Sequence, residues 1–229
     1  MDPREHLQRG QEAAAAGRYE EALRDYVWFH EHALEHEPAL YGVRLSFALW
    51  YWMELASVYP EARTALQRIR DAKTARLLNG ETERDLFHDV ESINERLQNE
   101  EATYELFSAL DRAQPDFAAV CADLAMPAIV KVEDFEMARR YTPSPGDVLR
   151  RYSEALNHDI EALERESPSK APRLEAYVQI YVRRVRLLLT ILRGNNESPE
   201  ADALAVRALE WVKSASVRDA VREGLQNAA

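Results

Sequence analysis

The sequence is poor in cysteine and glycine, and it contains no long apolar run. Cys121 is the only cysteine among 229 residues, so no disulfide can form within the chain, and its apolar neighbours predict a buried, inert thiol. Seven glycines are too few for the many tight turns of an all-β fold. The longest apolar run, Leu187–Leu192, is far shorter than the roughly 20 residues that a membrane-spanning helix needs. We therefore expect neither a disulfide scaffold nor a membrane protein.

Positive charge is also in short supply. The chain has 29 Lys and Arg residues against 40 Asp and Glu residues, which gives a net charge of −11. Such a chain repels phosphate backbones, so we expect no nucleic-acid partner. The first residues, MDPREHLQRGQ, are polar and lack an apolar segment, so we expect no signal peptide. Together with the single cysteine, this predicts a cytoplasmic location.

The residues that are abundant favour helices. Ala, Leu, Glu and Arg dominate the composition, and these side chains lose little freedom when a helix forms. Apolar residues recur with helical spacing along most of the chain, which predicts an all-α fold. The predicted helices lie near residues 4–16, 20–36, 39–58, 60–78, 83–98, 100–113, 116–126, 128–141, 145–166, 172–193, 199–213 and 215–227.

One short phrase occurs twice in the chain. GRYEEALRDY at residues 17–26 and SVYPEARTAL at residues 57–66 share a small residue, then Tyr, then Ala, with the same spacers. Ala22, Ala62 and Ala102 lie 40 residues apart in turn. A small residue at this recurring position lets two helices of a hairpin approach closely. Because one hairpin cannot bury its apolar face alone, hairpins of this kind stack on one another.

This pattern resembles the tetratricopeptide repeat, whose unit is a helical hairpin of about 34 residues. The resemblance covers residues 1–142 and rests on Gly10, Gly17, Tyr19, Ala22, Tyr26, Ala33, Pro38, Tyr59, Ala62, Ala102, Leu106, Ala109 and Pro115. It implies a right-handed superhelical array of antiparallel helix hairpins, a TPR-like α-solenoid. Residues 143–229 follow a Pro- and Gly-rich break and are expected to form a C-terminal helical cap or bundle that packs on the array.

The resemblance also implies a function and a site. Arrays of this family bind a peptide or a partner helix in a concave groove, which implies a non-catalytic protein–protein interaction module or scaffold that needs no cofactor. In the family, the first helix of each hairpin lines that groove. The residues that this register places in the groove are Arg44, Phe47, Tyr51, Glu54, Arg84, Phe87, Glu91 and Asn94.

The segment SFALWYWMELASVY, residues 46–59, is the most aromatic part of the predicted array. Its three consecutive aromatic residues, Trp50, Tyr51 and Trp52, span about 200° of a helix, so the helix is apolar nearly all round. Such a helix is expected to be covered by neighbours on several sides. Two interpretations remain open for the aromatic side chains, namely core packing and an aromatic shelf that binds a partner.

Motifs of catalysis and metal binding are missing from the sequence. It contains no Gly-rich phosphate loop, no paired cysteine ligands, no nucleophile elbow and no zinc-protease helix. His32 and His36 are four residues apart and could share a metal, but the sequence places no third ligand beside them, and a solvated helix face is the alternative. The neighbours His88–Asp89 and His158–Asp159 diverge by about 100° on a helix and cannot act as dyads. We therefore predict that the protein is not an enzyme.

Three other hypotheses follow from single features. A sensor could bind a small molecule or a signalling peptide between the array and the C-terminal helices, with Trp28, Tyr51, Tyr177 and Tyr181 as lining residues. A helical enzyme with a metal site made of His and carboxylate groups is a further alternative. The apolar content of the long helix predicted at residues 172–193 makes a homodimer a third possibility to test.

Overall fold

A computed structural model describes residues 2–165 and 171–226 of the chain. This part of the chain contains helices and no strand. The prediction of an all-α fold is confirmed. The helices are α1 (Pro3–Ala15), α2 (Tyr19–His36), α3 (Tyr41–Leu45), α4 (Phe47–Val58), α5 (Pro60–Leu78), α6 (Arg84–Leu97), α7 (Glu100–Ala113), α8 (Pro115–Lys131), α9 (Phe135–Arg140), α10 (Pro145–Arg165), α11 (Ala171–Gly194), α12 (Ser198–Glu210) and α13 (Ala215–Gln226), with a 3₁₀ turn at Pro38–Leu40. The connection SPSKAP, predicted at residues 167–172 between two long helices, lies largely outside the described residues.

The helix predicted at residues 39–58 is divided into shorter pieces. It begins with the 3₁₀ turn, continues as α3, and is interrupted at Ser46, whose backbone angles of φ −118° and ψ −86° are not helical. The Ser46 hydroxyl donates a hydrogen bond to the carbonyl of Gly42 at 2.6 Å. A short polar side chain that bonds to nearby backbone in this way competes with the helix, and here it accompanies the break before α4.

A break predicted near Pro127 is wrong. Helix α8 runs through this proline to Lys131, although proline removes one backbone hydrogen bond inside a helix. The chain instead turns at Glu133, which adopts the left-handed conformation with φ 61°. The N–H of Asp134 then donates to the carbonyl of Ile129 at 3.2 Å, and its carboxylate accepts from the N–H of Met137, which starts α9.

The chain divides into two compact units, residues 1–128 and residues 129–229. In unit 1, α1 packs on α2, α4 on α5, and α6 on α7, and each pair also contacts the next pair along the chain. This is an array of consecutively packed helix pairs. The boundary expected at residue 142 stays a prediction, and α9, which precedes it, packs against α11 within unit 2.

The small residues of the repeat lie where helices approach closely. A Cβ atom on Gly10 would come within 2.5 Å of the Tyr26 ring, so only glycine fits there against α2. Ala22 and Ala62 are fully buried, and the indole N–H of Trp52 donates to the carbonyl of Ala62 at 2.8 Å. Ala102, at the same position of the third pair, is only half-buried. The recurring alanine therefore marks tight helix contacts in the first two pairs.

Unit 2 is organised around α11. This helix packs against α9, α10, α12 and α13, and its apolar stripe, which includes Val185 and Leu192, is buried among them. The Tyr181 hydroxyl donates to the carbonyl of Ala208 at 2.8 Å and lies 2.9 Å from the hydroxyl of Ser153. Ile180 of the same helix is 42% exposed, and the homodimer stays a prediction.

Candidate functional site

Helix α4 exposes large apolar side chains to solvent. Phe47 is 64% exposed, Trp50 is 46% exposed and Val58 is 59% exposed, whereas Trp52 on the opposite side is buried. The exposed residues follow one another at helical spacings of three or four with Glu54 among them, so they form one stripe. The Trp50 ring packs edge-on against Tyr51 at 5.0 Å. The expectation that this helix is covered nearly all round is therefore corrected.

Helix α6 carries the acidic side chains Glu91 and Glu95 on its outward side. Helix α5 packs against both α4 and α6, and α4 and α6 also contact each other. From these contacts we infer that the exposed sides of α4 and α6 share one side of unit 1. We call this surface the α4–α6 face and define it by Phe47, Trp50, Tyr51, Glu54, His88, Glu91 and Glu95.

The carboxylates of the α4–α6 face are not neutralised by cations. Burial, and then the neighbouring charge of Glu95, raises the pKa of Glu91 to about 7. The nearest basic group is the imidazole of His88, whose Nε2 lies 4.0 Å from Glu91 Oε2 and whose pKa is lowered by burial. Within the described residues, no Lys or Arg side chain forms an ion pair with Glu54, Glu91 or Glu95. The face therefore combines exposed aromatic rings with uncompensated carboxylates.

Three of the predicted groove residues lie in the interior of unit 1. Arg44, Phe87 and Asn94 are at most 4% exposed. The Phe87 ring packs against Phe107 at 6.3 Å, and the Asn94 amide donates to the hydroxyl of Thr103 at 3.1 Å. This placement corrects the prediction that these three side chains face an open groove. Phe47, Tyr51, Glu54 and Glu91 do lie on the α4–α6 face, and their role in binding stays a prediction.

Arg84 is the remaining predicted groove residue, and it is tied to α8. Its Nε donates to the carbonyl of Val120 at 3.2 Å, and its Nη2 donates to Asp123 at 2.8 Å. The guanidinium is partly exposed, but its hydrogen bonds are already made within unit 1. Arg84 is therefore better placed to join α6 to α8 than to bind a partner.

Trp50 was left open between core packing and a partner-binding shelf, and its exposure favours the second interpretation, whereas His88 and Glu95 were not predicted on this surface. On α6 the buried positions include Leu86, Val90, Ile93 and Leu97, which leaves His88, Glu91 and Glu95 on the opposite side. This apolar spacing was readable from the sequence. The family resemblance placed Phe87 and Asn94 in the groove, one residue before the outward-facing His88 and Glu95. A step of one residue turns a helical side chain by about 100°.

Arg44 belongs to a buried cluster of charged side chains. Its Nη1 donates to Asp89 Oδ2 at 3.1 Å, and its Nη2 binds Asp89 Oδ1. Lys73 Nζ donates to the same Oδ2 at 2.5 Å, and Arg44 Nη1 lies 3.4 Å from His30 Nε2. Burial would raise the pKa of Asp89, but the hydrogen bond and charge of Arg44, aided by Lys73, hold it below its ordinary value. The cluster joins α2, α3, α5 and α6.

The chemistry of this buried cluster points to a structural role. Burial, reinforced by the charge of Arg44, lowers the pKa of His30 to about 3, so its imidazole is neutral at physiological pH. Arg44, Asp89 and His30 are at most 4% exposed, and their contacts join separate helices.

The remaining histidines do not assemble a metal site in the described part of the chain. His32 Nδ1 lies 3.2 Å from Glu35, and the Trp28 ring stacks with His6 at 3.6 Å and with His36 at 5.7 Å between ring centroids. No group of three or more His, Cys, Asp or Glu side chains among the described residues is arranged to hold a metal ion. Cys121 is buried, and burial raises the pKa of its thiol to about 11.

A cavity of about 630 Å³ lies within unit 2, between α11 and α13. Leu174, Val178, Val182 and Val217 supply apolar walls, and charged residues, among them Arg183, lie along the cavity. The aromatic residues that sequence reasoning proposed as a ligand pocket are placed elsewhere. Tyr181 is buried and its hydroxyl donates to the carbonyl of Ala208, and Trp28 stacks with histidines in unit 1.

Taken together, the fold and surface define an all-helical protein of consecutively packed helices with an aromatic and acidic face on unit 1. Comparison of the chain with protein-family models, with curated proteins and with solved structures gives no significant match. Among the described residues, no helix is both long enough and apolar enough to cross a membrane.

Proposed function

We propose that this protein is a non-catalytic interaction module, related in design to tetratricopeptide-repeat arrays, that binds a peptide or helix of another protein on the α4–α6 face. The proposal assigns residues 1–142 to a TPR-like array and the later helices to a cap or bundle. It requires no cofactor, and it places the protein in the cytoplasm.

The exposure of Phe47 and Trp50 carries this proposal. Large aromatic side chains on a helix that also packs into a core are usually turned inward, as Trp52 is here. Aromatic residues are enriched at the energetic centres of protein interfaces because they bury large areas with few rotatable bonds. Phe47 and Trp50 stand on a helix that neighbours on its other sides hold in place, so the surface needs little ordering before it binds.

The experiment is site-specific photo-crosslinking in an extract of the source cells. A photoreactive phenylalanine analogue replaces Phe47 in one protein and Leu78 in another. Leu78 is also exposed, at 52%, but it lies on α5. We expect one protein to be cross-linked reproducibly at position 47 and not at position 78.

Surface variants provide the matched control for this experiment. The double variant Phe47→Ser/Trp50→Ser should lose the cross-linked partner in a pull-down, whereas Leu78→Ser should keep it. All of these substitutions act on exposed side chains, so we expect the variants to fold normally. Circular dichroism and thermal unfolding check this. Equal capture by the wild type and by Phe47→Ser/Trp50→Ser would show that the α4–α6 face is not the binding surface.

Ligand sensing is a second candidate function, and the cavity between α11 and α13 favours it. Its volume of about 630 Å³ lies in the range of small-molecule sites, and its walls are mainly apolar. The experiment is a thermal-shift screen of metabolite mixtures on the whole protein, repeated with Ala220→Trp, which places a large ring in the cavity. A compound that stabilises the wild type but not Ala220→Trp would support this function, and a stabilising effect on both proteins would contradict it.

A further inference from the structure

The aromatic stripe of α4 does not by itself indicate the charge of the segment that binds it. The charged groups of the α4–α6 face indicate that charge. Phe47 and Trp50 fit an apolar anchor, as any amphipathic segment would supply. The specificity of such a contact is set by the charged groups around the anchor. On the α4–α6 face these groups are the carboxylates of Glu54, Glu91 and Glu95.

Resting on the proposed function, we propose that the occupant of the α4–α6 face is a cationic amphipathic segment of a partner protein, with Lys or Arg side chains that bind Glu91 and Glu95 beside an apolar anchor on Phe47 and Trp50.

The two glutamates of α6 lack a cationic partner within the described part of the chain. Glu91 and Glu95 are one helical turn apart, a spacing at which like charges repel. Glu91 is largely buried, with a side chain that is only 19% exposed. Neither glutamate forms an ion pair with a Lys or Arg, although elsewhere in unit 1 pairs such as Arg76–Glu81 and Arg9–Asp25 are made.

A cationic side chain from a partner would offset both the repulsion between Glu91 and Glu95 and the partial burial of Glu91. It would neutralise the repulsion between the two carboxylates, and it would supply a charged partner to a group that burial has partly desolvated. His88 cannot supply that charge at neutral pH, because burial lowers its pKa below the ordinary value. An acidic or neutral segment would bury these carboxylates further without any compensation. Charge complementarity therefore favours a basic partner.

The test uses two labelled helical peptides with identical Leu and Trp positions and with either Lys or Glu at every polar position. Binding to the whole protein is measured by fluorescence anisotropy at near-physiological salt. We expect the Lys peptide to bind at least about tenfold more tightly than the Glu peptide, because each charged hydrogen bond typically changes affinity by this order.

Two charge variants decide whether Glu91 and Glu95 are responsible. Glu91→Gln/Glu95→Gln should weaken binding of the Lys peptide by about tenfold. Glu31→Gln/Glu35→Gln removes the same two charges at the same spacing from α2, where both residues are exposed, and should change binding by less than about twofold. Equal losses in both variants would show general attraction to an acidic protein and would overturn the proposal.

The aromatic variant separates this inference from the proposed function. If the Glu peptide binds as well as the Lys peptide and both are lost in Phe47→Ser/Trp50→Ser, the face is an apolar docking surface without charge selection, and only the inference fails. If the Lys peptide binds equally to the wild type and to Phe47→Ser/Trp50→Ser, the apolar anchor is absent and both proposals fail. If neither peptide binds the wild type, both proposals also fail.

Discussion

Arg44 and Asp89 form a two-pronged ion pair in the interior of unit 1, where both side chains are only 5–6% exposed. The pair joins α3 to α6 across 45 residues of sequence. A buried pair of this kind adds little stability over an apolar pair of the same shape, but loss of one partner leaves the other charge buried and unpaired.

Asp89→Asn is therefore expected to lower the free energy of unfolding by about 3–5 kcal/mol. Lys73 loses the same partner, but its side chain is 18% exposed and can turn towards water. Urea unfolding followed by circular dichroism measures the change. The double variant Arg44→Met/Asp89→Leu should recover much of the loss, because it leaves no buried charge behind. A double variant that is no more stable than Asp89→Asn would contradict this account.

The different burial of the three repeat alanines predicts where a larger side chain will be tolerated. Ala22→Leu and Ala62→Leu should each lower the free energy of unfolding by about 1–3 kcal/mol, because both alanines are fully buried between helices. Ala102→Leu is the matched control. Ala102 is half-buried and borders a cavity of about 410 Å³, so the same change should be nearly neutral. Equal losses at all three positions, measured by thermal unfolding, would contradict this difference.

Much of the fold could be predicted because its causes are local. Helical spacing of apolar residues located most of the helices, and the recurring Tyr and Ala positions marked the contacts at Ala22 and Ala62. The break at Ser46 and the continuous helix through Pro127 were not predicted. In both cases packing with the surrounding structure outweighed a modest local preference. Residue propensities do not include that packing.

The site was harder to predict than the fold. One register, taken from the family resemblance, predicted every groove residue. In the structure, Phe87 and Asn94 are buried, whereas the outward side of the helices carries Phe47, Tyr51, Glu54 and Glu91. A shift of one residue rotates a helical side chain by about 100°, which is enough to move it from solvent into the core. Arg44 shows a different limit, since its buried partner Asp89 lies on a distant helix.

Cys121 is expected to be inert in the folded protein. Its side chain is fully buried, and burial raises the pKa of the thiol to about 11, so almost no thiolate exists near neutral pH. In Ellman's assay at pH 8, we expect no reaction in native protein and one thiol per chain after denaturation in urea. Rapid reaction of the native protein would mean that α8 opens around this residue.

Tyr181 should contribute measurably to the stability of unit 2 through its hydroxyl group. This hydroxyl donates to the carbonyl of Ala208 and lies 2.9 Å from the hydroxyl of Ser153 in a buried setting. Tyr181→Phe removes both contacts and is expected to lower the free energy of unfolding by about 1–2 kcal/mol. Tyr177→Phe is the control, because this residue of the same helix is only half-buried. Urea unfolding that shows the larger loss for Tyr177→Phe would contradict the assignment.

Glu91 should make the protein less stable as the pH rises. Burial raises its pKa from 4.5 to about 7 in the folded chain, so between these values the folded state holds a proton that the unfolded state has released. Stability is therefore lost as pH rises from 4.5 to 7, and the full cost is present above pH 7. A shift of this size corresponds to at most about 3 kcal/mol.

Glu91→Gln cannot ionise and should escape this cost. We expect the variant to be more stable than the wild type at pH 8 and to lose most of that advantage at pH 5, as measured by urea unfolding at both values. His88 titrates in both proteins with a lowered pKa, so its effect, which destabilises towards acid, largely cancels in the comparison. Glu31→Gln, at an exposed site on α2, is the control for the loss of one negative charge. If the advantage of Glu91→Gln is the same at both pH values, the pKa of Glu91 is not raised. The α4–α6 face then has no destabilised carboxylate for a cation to stabilise.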